Sequence, residues 1–215
     1  MGVKKLSSYE EDLNGNISVG FTYSEDIYRK YTFEIDSEIA EPSYYSTLIS
    51  TLENASETDT IILRINSSGG RVDSAIDIVT ALQNTLARTI AHTTGHCYSA
   101  ATLLALSCGE VYVGNYSDWM LHNAAGGFGG TIIDVKQQAN HEHDMLEKLF
   151  KDVYVPFISE DDVDLLLRNG TIWLTSEEVK SRLEVMDDLR MKEFEASQIP
   201  DNEKEDAMFK KVLPS

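Results

Sequence analysis

Apolar positions along the chain switch between two spacings, and the switches mark out strands and helices. Tyr31-Thr32-Phe33-Glu34-Ile35 alternates as a half-buried strand does. Asp36 or Ser37 is placed to start a helix after it, and Tyr44 to Leu52 carries apolar residues spaced for one helical face. Thr60-Ile61-Ile62-Leu63-Arg64-Ile65 is a β-branched run between polar turns, the pattern of a buried parallel strand. Val72, Ala75, Ile76, Ile78, Val79 and Leu82 then mark an amphipathic helix. Thr89 to Thr94 predicts the next strand, and Gly95-His96-Cys97-Tyr98 a tight turn into an apolar helical run from Ser99 to Leu106. Glu110 to Val113 and Asp118 to His122 read as two more strands. Val135 to Tyr154 is a long helix with a strongly polar face. Ser159 opens a short acidic helix through Val163 to Leu167, Trp173-Leu174 is a short strand, and Thr175-Ser176-Glu177-Glu178 starts a last helix with a capping-box pattern. Strands alternating with helices predict an α/β fold built from βαβ units.

The ends differ from this middle. Residues 1–30 are polar and read as an arm, with Asn14-Gly15-Asn16 as a turn and Ile17 to Tyr23 as a short strand or hairpin. From Met186 the chain is charged and loses its periodicity, which predicts an exposed helix or a partly disordered extension over 186–215. The expected domain therefore spans 31–185.

Charge and composition narrow the partners. Lys and Arg number 18 against 36 Asp and Glu, a formal net charge of -18. Such a surface repels phosphate backbones, so nucleic acid is not an expected partner. No apolar run approaches a membrane span, and no apolar stretch follows Lys4 and Lys5 as a signal peptide would need. Cys97 and Cys108 lie beside one predicted helix without a metal-ligand spacing, and read as reduced hydrophobes of a cytoplasmic protein. His141 and His143 are two apart, on different sides of a helix, and are expected on the surface with no metal.

Three features share a chemistry. Ser99 follows one strand, Gly69-Gly70 the strand before it, and His122 ends a later one. In a parallel sheet these carboxyl ends gather on one edge, where sites form. Ser99 by itself is equally a helix cap, since serine is a preferred one. As a nucleophile it needs a base, and imidazole, with a free pKa of about 6.5, suits the task. The backbone N–H groups of Ala100 and Gly70 are placed to hold an oxyanion. Gly126-Gly127-Phe128-Gly129-Gly130 lacks a phosphate-binding pattern and reads as an edge where another backbone approaches closely.

In order along the chain, these motifs resemble the proteolytic subunit of the Clp ATP-dependent protease, within the Clp/crotonase-like group. Ile65-Asn66-Ser67-Ser68-Gly69-Gly70 is similar to that family's Ile-Asn-Ser-Pro-Gly-Gly loop, with Ser68 in place of proline. Gly95 to Ala100 is similar to its Gly-x-Ala-x-Ser turn, and Met120-Leu121-His122-Asn123 to its Met-Ile-His-Gln segment. The glycine cluster with Ile133-Asp134-Val135, and Trp173 to Val179, extend the likeness from about Tyr31 to Val185.

The resemblance implies a repeated β-β-α superhelical fold with a protruding handle helix at roughly 133–154. It implies a serine endopeptidase without cofactor: Ser99 the nucleophile, His122 the base, Gly70 and Ala100 the oxyanion hole. A strand at Gly127, Phe128, Gly129 and Gly130 would bind an extended peptide or unfolded protein. Homo-oligomeric rings would enclose the site, and an unfoldase of the AAA+ class would feed it. One position departs: the third triad member, usually aspartate, falls on Thr171. A Ser–His dyad, a carboxylate borrowed from Asp161, Asp162 or Asp164, and a weak or inactive scaffold subunit working beside an active partner all remain open. A crotonase-type acyl-CoA enzyme is a further alternative, disfavoured by the acidic charge and the Ser99/His122 pair.

Overall fold

A computed structural model of the chain describes residues 6–11, 17–22 and 28–197. Strands β1 (Leu6–Glu11) and β2 (Ile17–Thr22) pair antiparallel as a hairpin, and the turn expected at Asn14-Gly15-Asn16 lies outside the described residues. The main body runs β3 (Lys30–Ile35), α1 (Ser46–Asn54), β4 (Thr60–Ser67), α2 (Val72–Asn84), β5 (Arg88–Tyr98) and α3 (Ala100–Ser107). It continues through β6 (Glu110–Val113), β7 (Asp118–His122), α4 (Ile132–Tyr154), α5 (Glu160–Leu167), β8 (Thr171–Leu174) and α6 (Ser176–Ser197). The last helix continues past residue 185, where the sequence pattern had placed a boundary.

The sheet has the order β3-β4-β5-β7-β8 and is parallel except for the antiparallel edge strand β8. Strand β5 is its pivot. Its first half pairs β6 over Ile90 to Thr93, and its last three residues pair β7 over His96 to Tyr98. Thr89 to Thr94 was expected as a shorter strand; the extension to Tyr98 depends on a bulge. Ile65 faces Thr93 and Ser67 faces Cys97, so β5 carries extra residues at this point. Asn66 fills the gap: its Oδ1 accepts the His96 N–H at 2.9 Å, and sits where a Cβ on Gly95 would be, 2.4 Å away. The side chain therefore supplies the ladder bond that the bulge removes.

No helix starts at Asp36 or Ser37. Residues 36–41 are instead drawn into tertiary bonds: the Ile39 N–H donates to the Gly69 carbonyl at 2.7 Å, Arg71 N–H to the Ile39 carbonyl at 2.9 Å, and Ser67 Oγ to the Ser37 carbonyl at 2.5 Å. A helix there would forfeit all of these, so the chain turns helical only at a short 3₁₀ segment, Pro42–Tyr45, that leads into α1.

Helix α3 is apolar on every side, and Ala100 to Leu106 are all buried. Its start is tied to the end of α4 by Thr102 Oγ1, 2.8 Å from the Tyr154 hydroxyl. Helix α4 divides in two. Leu146, Phe150, Val153 and Tyr154 are buried, while Ile132 to Asn140 is solvent-exposed apart from half-buried Val135, so the first turns project from the body. A capping box of Thr131 and Asp134 starts it, as the polar N-terminus of a projecting helix requires. Boxes at Ser159/Asp162 and Thr175/Glu178 start α5 and α6.

One buried carboxylate anchors the sheet's outer edge. Asp59, 1% exposed, accepts two bonds from Arg29 at 3.0 and 2.7 Å and two from the Ser56 N–H and hydroxyl at 2.8 and 3.0 Å. These bonds, Arg29's first, hold its carboxyl well below the usual range. A depressed folded-state pKa gives stability that is complete above the unfolded value of about 3.9 and is lost as pH falls toward the folded one. Thermal melting between pH 7 and pH 3 should show this acid loss in the native chain and a flatter acid limb in Asp59→Asn.

Candidate active site

The end of β5 and the start of α3 put Ser99 in an unusual backbone state. Its φ is 54° and its ψ -128°, a positive-φ conformation that costs a non-glycine residue about 1–3 kcal/mol. A serine cap needs extended backbone and a hydroxyl turned to the N2 or N3 amide. Ser99 has neither, and its side chain makes no capping bond. Its backbone is held from both sides: the N–H donates to the Met120 carbonyl at 2.7 Å, and its carbonyl accepts Thr102 N–H at 2.9 Å and Thr102 Oγ1 at 2.6 Å.

The glycine loop closes against this turn. Gly69 and Gly70 have φ of 89° and 147°. A Cβ on Gly69 would lie 2.6 Å from the Tyr98 carbonyl, 2.7 Å from Ser99 Cβ and 3.1 Å from the Ala100 amide. The glycine loop and the serine turn thus touch at Gly69. The bridge between Ile39 and Gly70 uses the Gly69 carbonyl and the Arg71 amide, and so leaves the Gly70 amide free of that ladder.

His122 follows Met120 by two residues on β7, so its side chain shares the face of Met120. Ser99 is anchored to that same Met120, and Ser99 and His122 both line one open cleft of about 850 Å³. Gly69, Gly70, Gly127 and Phe128 line it too. Among the described residues neither the Ser99 hydroxyl nor the His122 ring has a hydrogen-bond partner within the single chain. Loose side-chain geometry of this kind is common in free enzymes and tightens with substrate.

Thr171 stands directly opposite His122 in the β7–β8 register. Opposed residues on paired strands have their side chains on one face, with Cβ atoms about 4.5–5.5 Å apart. The position expected to orient the imidazole is thus beside it, and is uncharged. Asp161, Asp162 and Asp164 lie on α5 and none bonds His122. Asp162 is engaged in the capping box with Ser159. Asn169, at φ 69°, and Gly170 close the C-terminus of α5 and feed β8 into register.

Gly127, Phe128, Gly129 and Gly130 do not form the expected strand. Residues 123–130 carry no ladder, and a Cβ on Gly126, Gly127 or Gly129 would meet nothing within 4 Å. A strand exists only with a hydrogen-bonded neighbour, and the single chain offers none here. The segment is an exposed backbone rim of the cleft. Two lining residues were missed from sequence. Glu142 and His143, placed on the polar face of α4, reach the same cleft beside Ala139 and Leu146. The spacing 139, 142, 143, 146 is one helical face and was readable, but nothing in the pattern said what that face looks upon.

Among the described residues no cluster of three or more His, Cys, Asp and Glu is placed to hold a metal ion, and no helix is long and apolar enough to cross a membrane. A strand, a strained serine turn and a buried helix, with a glycine loop and a histidine on neighbouring strand ends, define a mixed α/β protein with a hydrolase-like cleft. The Clp protease family matches residues 20–181, and the chain belongs to that family. No curated protein matches the chain.

Proposed function

We propose that this chain is a serine endopeptidase of the Clp type that acts through Ser99 and His122. The observation that carries the reading is the state of Ser99, held at a strained positive φ, released from capping, and open to the cleft it shares with His122. In this reading His122 takes the Ser99 proton as Oγ attacks a peptide carbonyl. The Gly70 and Ala100 amides hold the oxyanion. His122 then protonates the leaving amine, and an acyl-serine remains. Water adds to the acyl carbon and gives a proton back through His122, which frees the acid product and restores Ser99.

The backbone from Gly127 to Gly130 supplies amides and carbonyls to an extended substrate by strand addition, a mode that reads main chain rather than side chains. Exposed Ile132 and Ile133 at the start of α4 need apolar cover, which a second copy would provide in a ring assembly. An enclosed chamber would confine so unselective a peptidase, and an AAA+ unfoldase would then deliver unfolded chains. The peptidase unit is 31–185, flanked by the arm over 1–30 and the extension over 186–215.

A fluorophosphonate probe tests the reading. One adduct at Ser99, absent from Ser99→Ala, is the expected result, together with cleavage of a fluorogenic peptide. No adduct in an assembled sample overturns it. That outcome would favour a second reading, an inactive scaffold subunit of the same fold, which the uncharged Thr171 beside His122 supports.

A further inference from the structure

We propose that Asp118 and Tyr98 form a positioning tie that fixes Ser99 against His122, an inference that rests on reading those two as nucleophile and base. Strands β5 and β7 meet over three residue pairs, His96 with Asp118, Cys97 with Trp119 and Tyr98 with Met120. Ser99 follows the last of these on one strand, and His122 lies two residues beyond it on the other. So short a ladder sets the relative place of the two candidate groups, and the serine it delivers is in a strained state.

On the exposed face a diagonal bond crosses that ladder. The Tyr98 hydroxyl donates to Asp118 Oδ2, although Tyr98 stands opposite Met120 and Asp118 opposite His96. The ladder is parallel and only three pairs long, and a diagonal side-chain tie adds to its few slanted bonds a further restraint against sliding of one strand along the other. Asp118 Oδ1 also pairs with His96 Nδ1 at 3.0 Å. The Tyr98 ring lies against the His96 ring at 4.6 Å and edge-on to Trp173 at 5.4 Å. Trp173 faces Met120 across the next ladder, so the cluster joins β5, β7 and β8. Burial and the Asp118 bond push the Tyr98 phenol up to about 12, so it stays a donor at neutral pH. Asp118 is committed to Tyr98 and His96, and it stands at the opposite end of β7 from His122.

Tyr98→Phe tests the tie because it keeps both ring contacts and removes the hydroxyl alone. With a fluorogenic peptide, Tyr98→Phe and Asp118→Ala should each lower kcat by about ten- to a hundredfold, the scale of a small misplacement, with KM little changed. The double variant should be no worse than the worse single one, as two halves of one interaction require. Asp118→Asn keeps an acceptor oxygen and should recover most of the loss. Hydrogen exchange at the Ser99 amide should quicken in Tyr98→Phe while the melting temperature holds. An active native chain with an equally active Tyr98→Phe, or losses that multiply in the double variant, overturns the tie. A native chain that neither cleaves nor labels overturns the peptidase reading instead; exchange at the Ser99 amide still reads the tie, and an unchanged rate overturns it.

Discussion

Thr171→Asp should raise kcat/KM on a fluorogenic peptide by about ten- to a thousandfold, part of the roughly 10⁴-fold that loss of the triad carboxylate costs a serine protease with intact geometry. The expectation rests on register. Thr171 is the first residue of β8, paired directly with His122, and exposed, so an aspartate there meets no packing penalty and sits beside the imidazole. Its charge would hold one ring tautomer and stabilise the imidazolium formed as Ser99 loses its proton. The same charge makes a second, independent change. A neighbouring carboxylate favours protonated histidine and raises its pKa, so the acid limb of the pH–rate profile should move to higher pH. Thr171→Val, which keeps the shape without the hydroxyl, should give neither effect. A Thr171→Asp chain with native kcat/KM and an unmoved acid limb would show that His122 takes its orientation from another group.

That the register could carry this argument shows what the sequence did and did not hold. That Ser99, His122 and the Gly69-Gly70 loop would share one cleft was legible because each lies at the end of a strand, and carboxyl ends of parallel strands converge. The helix starts at Ser159 and Thr175 follow from local residue order, and α4 appeared within a few residues of its observed bounds. Features set by contact between distant segments were not legible. The bulge that Asn66 fills, the drawing of residues 36–41 onto Gly69 and Arg71, and the diagonal bond from Tyr98 to Asp118 all join residues at least twenty positions apart. Periodicity has no term for such pairings. The rim at Gly127 to Gly130 failed for a related reason: its composition fits an edge, but a strand is a property of two partners, and one is missing from the single chain.

Gly69→Ala should lower kcat/KM by about a hundredfold or more, because it strikes the serine turn through backbone atoms that have nowhere to go. Two costs combine. Its φ of 89° is a conformation that side-chain-bearing residues rarely adopt. The added Cβ would also sit 2.6 Å from the Tyr98 carbonyl and 2.7 Å from Ser99 Cβ, both closer than real contacts allow. Relief by moving the glycine loop strains the Gly69 carbonyl's bond to Ile39 and shifts the Gly70 amide. Relief by moving the turn shifts Ser99 and the Ala100 amide. Either way Ser99 and the Gly70 and Ala100 amides shift relative to one another, and the proposed mechanism demands their placement within about half an ångström. Gly109→Ala is the control, since its nearest neighbour would be 3.5 Å away, in ordinary contact. That variant should keep native activity and melting temperature, while Gly69→Ala loses fluorophosphonate labelling at Ser99 in step with peptide cleavage. Native activity in Gly69→Ala would mean that the loop and the serine turn are not one catalytic unit.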